Sequence, residues 1–217
     1  MYSMSTNRLI LRPFCNEDVD RLVKLADQRR IVDSIIAIPQ PYDDRIAISW
    51  IDETQRQFKS GSGFHFAITL PEQESDAVGY VALSQIDQEN EEAQLSFWIG
   101  EEFQNQGITT EAVRALITFG VSVLGLNRIC AYHMVHNTAA CRVLSKVGMT
   151  KEGALRQRIR RHSQFNDVLV WSILASDWSA NSSYGPTDLE ISALESTNTL
   201  SLPVLDPDHR SFLAHFN

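Results

Sequence analysis

The chain has 217 residues, of which 43% are hydrophobic and 21% charged, and its formal net charge is −8. This composition is typical of a globular protein with one substantial core, and the acidic balance argues against bulk nucleic-acid binding. No stretch approaches the ~18 consecutive apolar residues that would span a bilayer. The N-terminus does not have the pattern of a signal peptide. Cys15, Cys130 and Cys141 form no Cys-x-x-Cys pair, so we expect reduced thiols, no metal site and a cytoplasmic location.

The charge is unevenly distributed along the chain. Eight Lys and Arg residues against the single acid Glu152 give residues 128–162 a net charge of +7, so the rest of the −8 chain carries −15. A solvated basic face explains this as readily as an anionic ligand near the segment.

Local patterns in the first part of the chain predict one strand and two helices. Apolar residues alternate in "TNRLILRPF", which predicts a first strand from Thr6 to Pro13. Asn16 can cap a first helix. Asp43 or Asp44 can cap a second helix, which "GSG" at Gly61 to Gly63 would end.

The middle of the chain alternates between strands and helices. Strands are predicted for "FHFAITL", "AVGYVALSQI" and "AQLSFWIG", with a turn at Asp87 to Glu92. After a helix that ends near Gly120, "NRICAYHM" predicts a strand and "NTAACRVLSKVG" a helix ended by Gly148. Two more strands are predicted from Met149 to about His162 and from Phe165 to Leu174. This order indicates a mixed α/β domain with one central sheet.

The composition changes at Ser179. The remaining segment has seven serines, three prolines and five acids against one Arg. We therefore expect a domain over residues 1–178 and a C-terminal extension over residues 179–217 that is partly disordered.

The segment "FQNQGITTEAVRALITFG", Phe103 to Gly120, introduces a helix with small and polar residues. The first turn of a helix leaves backbone N–H groups unpaired and carries partial positive charge, so it can bind phosphate. Gly107 would let the backbone approach such a ligand closely. The segment contains neither a Walker loop nor a Gly-x-Gly fingerprint, and an ordinary capped helix explains it equally well.

The wider segment "AQLSFWIGEEFQNQGITTEAVRALITFGVSVLGLNRICAYHMVHNTAACRVLSKVGMTKEG" resembles the GNAT superfamily of N-acetyltransferases. "NRLILRPFCNEDVDRL", "PQPY" and "DVLVWSILASDW" are similar to the branch that acetylates ribosomal-protein N-termini. The resemblance covers roughly Thr6 to Trp178. It implies a single α/β domain with a mostly antiparallel sheet of about seven strands, splayed between the fourth and fifth and flanked by about four helices.

The resemblance also implies a binding site for acetyl-coenzyme A (acetyl-CoA). In such enzymes the pantetheine arm lies between the splayed strands, which here would end at Trp98–Ile99 and near His133. The pyrophosphate would bind the loop from Gln104 to Thr110, and Asn137 would contact the cofactor arm. The implied cofactor-binding residues are Trp98, Ile99, Gln104, Asn105, Gln106, Gly107, Ile108, Thr109, Thr110 and Asn137.

Four positions depart from the family pattern. Thr109 replaces a small residue of the loop, and Gln94 stands where many members of the branch carry Glu. Ala140 replaces a hydroxyl residue, and Leu144 replaces a tyrosine acid. The usual proton carriers are therefore largely absent.

Other side chains can be considered for proton transfer. Glu92 could act through water, His133 and His136 have the pKa range of a base, and Cys141 could donate to a thiolate. A turn carboxylate, satisfied histidines and a buried cysteine explain these residues equally well or better. Tyr42 either walls the acceptor pocket or simply packs.

Three functions follow as hypotheses. The first is acetyl transfer from acetyl-CoA to a primary amine, most simply the N-terminal α-amine of a protein or peptide. The second has a small amine as acceptor, such as a polyamine, amino acid or antibiotic. The third is a coenzyme A-binding regulatory module without turnover. We expect a monomer or homodimer with no direct nucleic-acid or membrane partner.

Overall fold

The computed structural model describes residues 1–26, 28, 42–161, 163–180 and 188–194. Five α-helices lie in these ranges: α1 (Val19–Ala26), α2 (Asp44–Ser60), α3 (Ile108–Ser122), α4 (Thr138–Lys146) and α5 (Ala175–Ala180). Nine strands accompany them: β1 (Tyr2–Ser5), β2 (Ile10–Pro13), β3 (Phe64–Thr69), β4 (Gly79–Asp87), β5 (Glu92–Ile99), β6 (Arg128–Met134), β7 (Thr150–Arg161), β8 (Gln164–Leu174) and β9 (Glu190–Ala193).

The nine strands form one sheet in the order β7-β8-β6-β5-β4-β3-β2-β1-β9. Every neighbouring pair is antiparallel except β5 and β6, which are parallel. This arrangement confirms the predicted mixed α/β class with a mostly antiparallel sheet.

The two faces of the sheet carry separate hydrophobic clusters. Side chains of a strand alternate between faces, and β4 shows the division clearly. Val81 and Leu83 belong to the larger cluster, which includes the buried side of α3. Tyr80 and Ala82 belong to the smaller cluster, with residues of α1 and α2. The sheet is therefore covered on both sides.

Helix α2 shows how local sequence sets the ends of an element. Asp43 accepts a hydrogen bond from Ile46 N at 3.0 Å and so caps the first turn. Gly61 ends the helix with φ of 71°, a conformation that glycine adopts without strain. Both predicted ends are confirmed.

Several sequence predictions need correction. The expected strand from Thr6 to Pro13 is a hairpin turn followed by β2, because the Thr6 side chain accepts a hydrogen bond from Leu9 N and closes the turn. Asn16 lies in a 3-10 turn whose N-cap is Cys15. The segment after Trp178, for which no strand was predicted, includes the end of α5 and strand β9, which pairs with β1. These features raise the strand count from about seven to nine.

Some predictions concern residues outside the described ranges. Positions 39–41 of the "PQPY" motif, His162 and most of the C-terminal segment are among them. No helix in the described ranges is long and apolar enough to cross a membrane.

Candidate active site

The parallel strands β5 and β6 separate part-way along their length. Four residue pairs join them, from Glu92↔Arg128 to Leu95↔Ala131. Beyond Leu95, β5 continues to Ile99 paired with β4, and β6 continues to Met134 paired with β8. The two strands therefore form a fork, as predicted, and backbone groups inside it are open to a ligand.

A cavity of about 1290 Å³ surrounds the fork. It is larger than the ~300–1,000 Å³ usual for one small-molecule ligand, so it has room for two. Its walls include Trp98 and Ile99 from β5, the start of α3, and Asn137 at the start of α4. Nine of the ten predicted cofactor-binding residues line it. The exception is Gln106, whose amide turns back to donate to Glu102 O at 2.9 Å.

The start of α3 presents unpaired backbone donors. The first backbone bond of this turn runs from Glu111 N to Gly107 O at 3.1 Å, so the N–H groups of residues 108–110 have no acceptor in the helix. The described part of the chain offers no acceptor to the N–H groups of residues 105–107 either. Left-handed backbone at Asn105 (φ 61°) and Gly107 (φ 82°) shapes this concave loop. The donor set fits a phosphate.

The turn between β1 and β2 supports this loop from outside. Arg8 donates to Gln106 O at 3.2 Å and to the Glu111 carboxylate through Nε at 2.8 Å. Thr6 donates to the same carboxylate at 2.6 Å. Glu111, the acid in the first turn of α3, is therefore paired with Arg8, so its negative charge beside the loop is partly neutralised.

Helix α4 brings cationic groups to the same cavity. Asn137 caps the helix by accepting a hydrogen bond from Ala140 N at 3.0 Å. Arg142 and Lys146 line the cavity from this helix, whereas Arg128 of the same basic segment is bound by carboxylates elsewhere. The sequence could not separate these cations, because only the helix register shows which of them face the cavity.

The other side of the cavity is aromatic. Tyr42, Trp50, Tyr80 and Trp98 line it, with Tyr80 stacked on Trp98 at 5.9 Å between ring centroids. Burial raises the pKa of Tyr42 to about 12, so its hydroxyl stays neutral. None of the described residues that line the cavity is Asp or Glu.

Comparison with known proteins places the chain in a family. Residues 8–150, more than half of the chain, match the model described as acetyltransferase (GNAT) domain. The chain belongs to the GNAT acetyltransferase family. It is therefore an acetyl-CoA-dependent acetyltransferase by class, and the donor set at the fork fits that cosubstrate.

Several GNAT proteins are similar over most of this chain. The putative ribosomal N-acetyltransferase YdaF of Bacillus subtilis (strain 168) is 27% identical over 82% of this chain and 98% of its own length. The [Ribosomal protein uS5]-alanine N-acetyltransferase of Escherichia coli (strain K12) is 26% identical over 81% of this chain and 92% of its own. The structure of Mycobacterium smegmatis RimJ in complex with CoA-disulfide shares the fold, with a TM-score of 0.73 at 20% identity, covering 81% of this chain and 88% of that one.

His133 does not have a free nitrogen for the role of base. The Trp171 indole N–H donates to His133 Nε2 at 2.9 Å, so the proton of the neutral ring lies on Nδ1, which donates to Met134 O at 2.9 Å. The ring is 3% exposed, and burial lowers its pKa. His133 lines the cavity, but both ring nitrogens are hydrogen-bonded, which favours the alternative of a satisfied histidine over a base. His136 is exposed and lines the cavity.

Glu92 lies at the closed end of the fork rather than at its opening. Its carboxylate pairs with Arg128 Nε at 2.8 Å. It precedes Ser96 by four residues, which is roughly 13 Å along a strand, and it does not line the cavity. This geometry does not place Glu92 where it could act as a base through water at the opening of the fork.

Cys141 is half-buried, packs against the larger hydrophobic cluster and does not line the cavity. The proposed donation from this thiol is not supported. The replaced family positions Gln94, Ala140 and Leu144 do line the cavity, and none of these three side chains can take or give a proton at neutral pH. No group of three or more His, Cys, Asp or Glu side chains within the described ranges is placed to hold a metal ion.

The sequence interpretation missed two residues that line the cavity and a third that is bonded to one of them. Ser96 and Tyr80 line the cavity, and Tyr80 bonds to both Ser96 and the buried His65. One signal could have found them: His65 is the polar member of the apolar run "FHFAI", and a polar residue in such a strand needs a partner.

Proposed function

We propose that this GNAT protein acetylates the N-terminal α-amine of a protein or peptide by direct attack in a ternary complex. The absence of carboxylates among the described cavity-lining residues carries the proposal. A polyamine acceptor has several positive charges, and a site for it needs negative groups to hold them. A peptide N-terminus with a small first residue has one charge and fits an aromatic wall better. The names of the relatives acting on ribosomal proteins agree with this choice.

The same geometry supports a pose for acetyl-CoA. We assign the diphosphate to the backbone N–H groups of residues 105–110 and the pantetheine arm to the fork near Trp98 and Ile99. Arg142 and Lys146 are the cations we assign to the 3′-phosphate, since both line the cavity. The acceptor then enters from the aromatic side.

The proposed reaction depends first on how the amine and the thioester are positioned relative to each other. Holding amine and thioester in line gives effective molarities that reach about 10⁵–10⁸ M in ideal cases. A backbone N–H directed at the developing oxyanion is worth roughly 2.7–4 kcal/mol. A cytoplasmic location and a monomer or homodimer stay part of the proposal.

A binding experiment tests the cofactor site. Gly107→Glu places bulk and negative charge among the phosphate donors, so calorimetry should show at least a 100-fold loss of acetyl-CoA affinity. Gly153→Glu is the matched control, because a Cβ at Gly153 meets nothing within 4 Å. Equal affinity in both variants would overturn the assigned pose.

An acceptor experiment tests the function itself. Thiol release and mass spectrometry would be measured with peptides that begin with Ala or Ser, with the same peptides blocked at the α-amine, and with spermidine. We expect acetylation of the free α-amine alone. Turnover with spermidine only would establish the small-amine alternative, and acetyl-CoA binding without turnover on any amine would establish the non-catalytic one.

A further inference from the structure

A chain of side-chain hydrogen bonds runs from the cavity along one face of the sheet to helix α2. Ser96 Oγ lies 3.2 Å from the Tyr80 hydroxyl, which lies 3.0 Å from His65 Nδ1. His65 Nε2 is 2.7 Å from Gln57 Oε1, and Gln57 Nε2 donates to Glu53 Oε1 at 2.9 Å. We call these five residues the Ser96–Glu53 chain.

The donor and the acceptor of each hydrogen bond in the Ser96–Glu53 chain follow from Glu53, the exposed residue at its end. An ionised Glu53 carboxylate only accepts hydrogen bonds, so the amide nitrogen of Gln57 faces it and the amide oxygen faces His65. His65 therefore carries its proton on Nε2 and accepts at Nδ1 from the Tyr80 hydroxyl. The Tyr80 oxygen then accepts from Ser96, whose own oxygen keeps its lone pairs for the cavity.

The two central residues are buried and neutral. His65 and Tyr80 are each 8% exposed. Burial lowers the pKa of His65 to about 4 and raises the pKa of Tyr80 to about 12. Glu53, paired with Arg56 at 2.7 Å, is the charge on α2 that acts on His65, and it opposes the effect of burial. The donors and acceptors of the Ser96–Glu53 chain therefore stay the same from about pH 5 upwards.

The backbone also makes room for this arrangement. A Cβ at Gly63 would lie 2.5 Å from Gln57 Oε1 and 2.9 Å from His65 Nε2. Any side chain there would displace the bond between those two residues, so glycine is required by the contact.

Ser96 stands at the point where the fork opens. It is the first residue of β5 beyond the last pair with β6, Leu95↔Ala131, and it lines the cavity on the same face as Gln94 and Trp98. Gln94, two residues earlier, cannot accept a proton. The next side chain of β5 on this face is Ser96, whose hydroxyl oxygen can accept a proton.

We propose that Ser96 accepts the amine proton during acetyl transfer, with Tyr80, His65, Gln57 and Glu53 as positioning residues that hold its oxygen in the accepting state. The proposal rests on the function proposed above. As the N–C bond forms and the C–S bond breaks, the amine proton passes to Ser96 Oγ. In the same step Ser96 Oγ passes a proton to the leaving sulfur, which becomes a thiol, so Tyr80 and His65 stay neutral and only hold the Ser96 oxygen in position.

Kinetics of single-atom variants test this role. Ser96→Ala and Tyr80→Phe should each lower kcat about 100-fold, the lower range for a positioned acid or base, while the affinity for acetyl-CoA changes less than twofold. Ser96→Thr keeps the hydroxyl and should recover most of kcat. Ser84→Ala on β4 is the matched control, since Ser84 does not line the cavity, and its kcat should be unchanged.

The hydrogen-bond directions of the Ser96–Glu53 chain can also be measured without an activity assay. In ¹⁵N-labelled protein, NMR should show His65 with a protonated Nε2 and a bare Nδ1. Glu53→Gln removes the group that orients Gln57, so it should mix the two tautomers and lower kcat. Asp52→Asn, an exposed neighbour on the same helix, should do neither.

The possible failures are distinguishable. If wild-type protein binds acetyl-CoA but acetylates no amine, the proposed function fails. If wild-type protein turns over and both Ser96→Ala and Tyr80→Phe keep kcat within twofold, the role of Ser96 is overturned and the transferase stands. If circular dichroism shows that Tyr80→Phe does not fold, the kcat values of Ser96→Ala and Glu53→Gln decide whether the role of Ser96 stands. A His65 protonated on Nδ1 would also overturn the proposal.

Discussion

The two ends of the β5–β6 pair differ in what their polar groups contact. At the closed end, Arg128 binds Glu92 and, through two bonds of 2.6 and 2.7 Å, Glu152, which also accepts from Ser172 at 2.7 Å. At the open end, the strands share no ladder bonds beyond Leu95↔Ala131.

This difference shows how one pair of strands can be both a support and a site. At the closed end the charged side chains pair with one another and hold the strands in register, so no charged group there is available to a ligand. At the open end each strand is fixed by its outer neighbour, β4 or β8, so the groups inside the fork stay in place without a partner. A ligand meets donors that need no reorganisation.

The largest effect is expected where β4 holds the open arm of β5. A Cβ at Gly79 would lie 2.7 Å from Trp98 O and 3.2 Å from Ile99 Cα, both backbone atoms. Gly79→Val should lower the free energy of unfolding by about 1–3 kcal/mol or more and weaken acetyl-CoA binding, as measured by urea unfolding and calorimetry. Gly153→Val, which meets nothing within 4 Å, is the control. Equal stability of the two variants would show that β4 does not fix the arm.

A smaller effect is expected on the opposite arm. His133→Leu leaves the buried Trp171 N–H without its acceptor, which should cost about 1–3 kcal/mol of unfolding free energy. Because His133 has no free nitrogen, kcat should change less than threefold. His136→Leu, at an exposed position, should leave stability within about 0.5 kcal/mol. A hundredfold loss of kcat in His133→Leu with unchanged stability would reverse our assignment.

The smallest effect is expected at the closed end and depends on pH. Hydrogen bonds from Arg128 and Ser172 lower the pKa of Glu152 to about 2. A lowered pKa stabilises the fold above the unfolded value near ~4.3 and loses that effect as pH falls towards 2. The side chain is 38% exposed, so solvent screening should keep the gain below about 1 kcal/mol.

Unfolding of Glu152→Gln measures this gain. The wild type should be more stable than the variant at pH 6, and the difference should shrink as the pH falls to 3. Glu89→Gln, at an exposed turn position, should show no such convergence. A difference that grows towards acid would contradict the assigned cause.

The sequence predicted the elements whose ends depend on local chemistry. The Asp43 cap and the Gly61 stop of α2 are set by nearby backbone groups, so they could be identified from a few residues. Strand β9 could not, because its pairing with β1 joins residues about 190 positions apart. The turn at Thr6 was missed because alternation continues through it.

The part of the site that consists of backbone groups could be predicted from the sequence. Gly107 and its polar neighbours indicated the loop of unpaired donors, and that loop lines the cavity. The proton-transfer candidates could not be separated, because His133 was considered from its position at a strand end and a satisfied histidine remained the alternative. Whether a histidine is free depends on Trp171, which lies 38 residues away, and no local pattern shows that contact.

Strand β9 gives the sheet a different border from the one that β1 would form alone. An edge strand presents unpaired N–H and C=O groups on which another chain can add. Here residues 190–193 of the same chain occupy that position along the whole of β1, and the new border is only four residues long and carries Glu190 and Ser192. Residues 190–193 thus protect the edge of β1 from strand exchange between molecules, and a chain shortened to end at Ala180 is expected to associate with its own copies.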